Sequence, residues 1–88
     1  MTTVREEVEQ LLEELERQRD ELKVKLHLAK AEIRDEWEKL EHKRAELRSK
    51  LTAASGQAED AWKDIGAAAG LLADELKKGY DRIRSTLT

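Results

Sequence analysis

Apolar residues recur three and four positions apart through most of this chain, at Val8, Leu12, Leu15, Leu22, Leu26, Ala29, Ile33, Trp37, Leu40, Leu47, Leu51, Ala54 and Ala58. Steps of three and four keep side chains on one face of a helix, whereas a strand would alternate at every second residue. No stretch alternates that way long enough to form a strand. The repeat therefore predicts an all-α chain. It is interrupted by Arg19 and Arg44, which stand where apolar residues are due.

Composition alone points toward disorder, since 42% of the 88 residues are charged and only 3% are aromatic. The sustained period outweighs it. With Trp37, Trp62 and Tyr80 as the only aromatic side chains and no cysteine for a staple, a self-sufficient globular core is not expected. The expectation is a sticky helix that needs another helix to cover it.

Most of the stripe is heptad, which favours a left-handed supercoil. From Leu26 the steps run three, four and four to Trp37. This stutter unwinds a supercoil locally and is read as seating the bulky Trp37 within a continuous helix. Thr3-Val4-Arg5-Glu6 fits a capping box, so the first helix starts near Val4.

The first helix is predicted to run over about 4–54 and a second over about 57–86, with a turn or weak point at 54–57. Ala54-Ser55-Gly56-Gln57 is the one stretch resembling punctuation. Net charge runs −5 over residues 1–21, +3 over 22–54, −4 over 55–76 and +3 over 77–88. Two helix dipoles, each acidic at its start and basic at its end, would produce that order. Against a break, Leu51, Ala54, Ala58, Trp62 and Ile65 keep the stripe in phase across Gly56. A helical hairpin is favoured over one continuous rod by a small margin. The chain is read as a single helical coiled-coil domain over 1–88 that assembles into a multi-helix bundle.

The expected oligomer seam is Val8, Leu12, Leu15, Leu22, Leu26, Ile33, Trp37, Leu40, Leu47, Leu51, Trp62, Ile65, Leu72, Leu76, Tyr80 and Ile83. Ile65-Gly66-Ala67-Ala68-Ala69-Gly70-Leu71-Leu72-Ala73 is the most unusual segment. Two mid-helix glycines cost roughly 2 kcal/mol against alanine, so something should offset them. Gly66, Gly70 and Ala73 are expected to form a close-packing face where helix backbones meet.

Little else in the chain points to chemistry. His27 and His42 have neither the paired spacing of a zinc helix nor a Glu-x-x-His motif, and no metal or other cofactor is expected. The four glycines build no phosphate loop, and Ser49, Ser55 and Ser85 have no neighbouring base. A convex rod also offers no pocket to a small-molecule substrate, so the chain is read as a non-enzyme. Acids interrupt the basic stretch around Lys43 and Arg48, and a net charge of −3 gives no pull toward nucleic acid. The start of the chain has no apolar signal region and no run is long enough to span a membrane, so a cytoplasmic protein is expected.

Ala58-Glu59-Asp60-Ala61-Trp62-Lys63-Asp64-Ile65, followed by Leu72-Ala73-Asp74-Glu75-Leu76-Lys77-Lys78-Gly79-Tyr80-Asp81-Arg82-Ile83, carries a likeness. The chain resembles small, mostly uncharacterised bacterial coiled-coil proteins in which a charged heptad helix precedes an Ala-Trp-x-acid-aliphatic tail. Some of these are labelled stress-response proteins, and the tail is also similar to apolipoprotein-like helices. The resemblance implies helices and self-association and carries no catalytic residues. Together these readings give a self-associating dimer or tetramer with a structural, scaffold or adaptor role. The alternative is a peripheral membrane-surface or stress-protective amphipathic helix acting through its carboxy-terminal tail, and that helix is also the place where a protein partner or a membrane surface would be met.

Overall fold

The structure, a computed structural model, describes residues 3–87. Three helices fold into one bundle: α1 (Val4–Lys25), α2 (Ala31–Ala54) and α3 (Glu59–Leu87). The all-α expectation holds, and the hairpin at the second junction is present. The bundle measures 44 × 23 × 17 Å. That length is one α3 helix, about 1.5 Å for each of its 29 residues. A 4–54 helix alone would need ~75 Å.

The helix expected over 4–54 is therefore corrected to two. After Lys25 the chain tightens into a 3₁₀ turn at Leu26–Leu28. It then extends through Ala29 (φ −83°, ψ 148°) and Lys30 (φ −71°, ψ 161°) before α2 begins. No glycine or proline marks the place, and Lys30 makes no side-chain cap for α2. The turn's carbonyls are nevertheless engaged. The Ala29 N–H donates to Leu26 O at 3.0 Å, and Arg34 Nη2 donates to His27 O at 3.3 Å. The stutter at Leu26 to Trp37 is thus a reversal of direction. Breaking the helix forfeits a few backbone bonds but lets α1 bury its stripe on its own chain, and each such Leu or Val is worth about 1.5–3 kcal/mol.

Thr3 caps the first helix, with the Glu6 backbone N–H donating to Thr3 Oγ1 at 3.1 Å, the first half of the capping box. At the second junction the Gln57 N–H donates to Ala54 O at 2.9 Å, and α3 restarts with Glu59 and Asp60 in its first turn. Gly56 does not have a positive φ there, so the turn does not depend on its special freedom.

Helix α3 is the central element and packs along both others. Its buried residues Trp62, Ala69, Ala73, Leu76, Tyr80 and Ile83 step by heptad, with Gly66 completing the row. Facing them are Val8, Leu15 and Leu22 of α1, and Trp37, Leu40, Leu47, Leu51 and Ala54 of α2. Helices α1 and α3 run parallel, with α2 antiparallel to both. The Val4 N–H accordingly donates to Glu59 Oε1 at 3.3 Å, carboxylate against helix start. Trp37 and Tyr80 pack ring to ring at 5.9 Å, tilted by 41°.

Candidate functional site

The residues expected to await a second chain are covered by their own. Val8, Leu15, Leu22, Trp37, Leu40, Leu47, Leu51, Trp62, Leu76, Tyr80 and Ile83 are buried, and Leu12, Leu26, Ile33, Ile65 and Leu72 pack partly buried against them. The seam is an intrachain core. The turn at 26–30 is the reason, because it folds α1 alongside α3.

The two arginines in the stripe also find partners within the chain. Arg19 grips Glu41 through Nε at 2.7 Å and Nη2 at 2.9 Å. In the reverse sense Arg44 grips Glu16, with both bonds at 2.8 Å. Each pair bridges α1 and α2, and the guanidinium side chains are only 16% and 17% exposed. Forked, half-buried pairs of this kind also set register, since a one-residue slip parts both forks. The hydrogen bonds from Arg19 hold the Glu41 carboxyl below its ordinary range. The fully buried Tyr80 lies within reach of the same charges. Burial first, then the field of Glu41, pushes its phenol up to about 12, while Arg44 and Arg19 pull the other way. Its hydroxyl has no hydrogen-bond partner among the described residues.

At the amino-terminal end of the bundle, the Arg5 guanidinium lies 5.5 Å from the centre of the buried Trp62 ring. It also bonds Glu9 at 3.0 Å and Ser55 O at 3.4 Å. One side chain thus joins α1, the second junction and α3. Glu13–Arg17, Glu59–Lys63 and Asp74–Lys78 each set an acid four residues before a base, and of these Asp74–Lys78 forms, at 2.9 Å. Arg17 turns instead to Glu14, and Lys63 lies nearest Asp60.

The close-packing face needs correcting. Gly66 does lie against α1, where an added Cβ would come 2.7 Å from Val4 Cγ1, and Ala73 is buried. Gly70 is exposed, and an added Cβ there would meet nothing within 4 Å. The tightest approach falls at Gly79, where a Cβ would run into Leu40 of α2. Gly79 continues the three-and-four spacing from Leu76 to Ile83, which was its only signal. Glu16 and Glu41 had none, because nothing in a stripe says which acid of another helix faces an arginine.

Apolar surface left over lies around the middle of α3 and at the turn after α1. A groove of about 280 Å³ runs between α3 and α1, lined by Val4, Glu7, Val8, Leu11, Gly66 and Gly70. A second, of about 470 Å³, runs between α3 and α2, with Ala53, Ala54, Ala61, Ile65 and Ala68 among its walls. Leu71 on α3 is 72% exposed, and Leu11 beside the first groove 37%. Among the described residues, Val24 and Leu28 near the first turn are the other exposed large apolar residues.

His27 and His42 are both exposed, and His27 Nδ1 sits 2.9 Å from Val24 O. No group of three or more metal-ligating side chains occurs among the described residues. No helix among them is long and apolar enough to cross a membrane. No protein-family model matches the chain, and neither the curated proteins nor the solved structures hold a significant match.

Proposed function

We propose that this chain is a non-enzymatic, self-associating helical protein with a structural, scaffold or adaptor role in the cytoplasm. Its chemistry is recognition by a helix face. One observation carries the reading: the bundle satisfies its own core, yet α3 keeps an uncovered apolar centre of Ala67, Gly70 and Leu71 within a charged surface. A surface meant only for water has no use for a glycine and an exposed leucine in mid-helix, whereas a helix-packing site does. Since the seam residues serve the monomer, association uses this second face and joins finished bundles.

The membrane-surface alternative has less to stand on. The apolar face it needs, Trp62, Leu76, Tyr80 and Ile83, is occupied by the core, and the outer face carries Asp60, Asp64, Asp74 and Asp81. It would require the bundle to open.

Sedimentation of the full chain across the micromolar range tests the reading, with a concentration-dependent rise in mass expected. A single monomeric species throughout, at low salt, would overturn it. Flotation with anionic vesicles that leaves the chain in the soluble fraction closes the alternative.

A further inference from the structure

Opposite its buried row, α3 carries a second heptad stripe on its solvent side. Asp64, Ala67, Leu71, Asp74 and Lys78 step by three and four, and all are exposed. Gly70 lies to one side of this stripe, on the flank that forms the groove with α1. Gly66 and Gly79 each make room for a side chain of the same molecule, but Gly70 does not.

The charges on the stripe are placed about Leu71. Asp64 stands seven residues before it and Lys78 seven after, two turns either way on the same face. Asp60 and Arg82 repeat the relation at eleven residues, with Arg82 also bonded to Glu36 of its own chain at 2.8 Å. An antiparallel copy with Leu71 on a two-fold axis therefore sets acid against base at all four places. A parallel pairing sets every charge against itself. Asp64 has no ion pair among the described residues, and Lys78 is held on this face by Asp74.

We propose that the outer face of α3 is the contact between two copies of this chain, antiparallel and isologous. Leu71 lies on the two-fold axis, and Asp64 of each copy faces Lys78 of the other. This rests on the self-association proposed above and gives it an address. A single helix-on-helix contact falls at the low end of interface sizes, below about 1,200 Å². The dimer is accordingly weak and sensitive to salt.

The chain has no cysteine, so a single introduced thiol reports cleanly. Leu71→Cys should be trapped as a disulfide dimer under mild oxidation of the full chain, while Glu38→Cys, on the exposed side of α2, should not. In sedimentation, Asp64→Lys and Lys78→Asp should each weaken the dimer about tenfold or more, and the double reversal should restore it. A wild-type chain that dimerises, with the Leu71→Cys thiols failing to join and the charge reversals silent, overturns this interface and leaves self-association standing. A chain that never dimerises removes both.

Discussion

Gly79 of α3 lies directly against Leu40 of α2: a Cβ at position 79 would overlap Leu40 Cδ2 and come within 2.7 Å of Cδ1 and 3.1 Å of Cγ. The glycine is there so that α2 and α3 can close on each other. Gly79→Ala sets two effects against each other. Alanine gains about 1 kcal/mol of helix propensity. Overpacking costs about 1–3 kcal/mol, and because Cγ as well as both methyls are in the way, rotating the leucine tip does not clear it. A net loss near 1 kcal/mol is expected from urea unfolding, or about 4–8 °C in a domain of this size. Gly70→Ala, with open space around it, should gain about 1 kcal/mol under monomeric conditions. Equal stability for the two variants would contradict this packing.

The reversal at 26–30 makes a sharp prediction. Ala31 is the first residue of α2, where proline is well tolerated, and Lys30 before it is already extended as a following proline requires. Ala31→Pro should be neutral or mildly stabilising. In an unbroken 4–54 helix the same change would cost about 3 kcal/mol or more. Lys30→Asp, which supplies the missing cap, should add about 0.5–1 kcal/mol. Thermal unfolding of both variants decides the point.

The Arg19–Glu41 fork should show coupling. Removing either partner leaves a half-buried charge alone, expected to cost about 1–2 kcal/mol, while Arg19→Met with Glu41→Leu should recover part of the loss. A double-mutant cycle is the measurement, with a coupling of about 1 kcal/mol expected. Additive single losses would mean that the fork contributes nothing.

Stability should depend on pH at both extremes. In the unfolded chain the Tyr80 phenol titrates near 10 and in the folded chain at about 12. Between those values the unfolded state loses a proton that the folded state keeps, so stability falls as pH rises from about 10 toward 12. The loss is on the order of 2 kcal/mol. Tyr80→Phe should remove this alkaline slope without lowering stability at pH 7, since the hydroxyl has no partner to lose. On the acid side, Glu41 is lowered in the fold. Its contribution is complete above the ordinary carboxylate range and disappears as pH drops through the lowered value. Denaturant midpoints against pH, for wild type and Tyr80→Phe, test both signs.

Arg5 packs over Trp62 while 46% exposed, which places the contact at the weak end of cation–π energies, about 0.5–1 kcal/mol. Arg5→Ala in a Trp37→Phe background should destabilise by about that amount and shift the Trp62 emission to the red. An unmoved spectrum would show that Arg5 does not shield the ring.

Much of the fold was legible in the sequence. A helix turns through 100° per residue, so the rows from Val8 to Leu22, from Ile33 to Leu51 and from Trp62 to Ile83 marked core faces by spacing alone. The charge blocks found the turn near Gly56, because helix dipoles order charge locally along the chain. What the row did not reveal was which helix covers which. A stripe looks the same whether a second copy or a later part of the chain lies on it, so an intrachain core read as an oligomer seam. The break at Leu26 to Lys30 has no breaker residue and exists because burying α1 on α3 outweighs the helix bonds given up there. The partners of Arg19 and Arg44, the room at Gly79 and the bareness of Gly70 depend on register between helices. Register is set when side chains far apart in sequence meet, so only the folded chain could decide it.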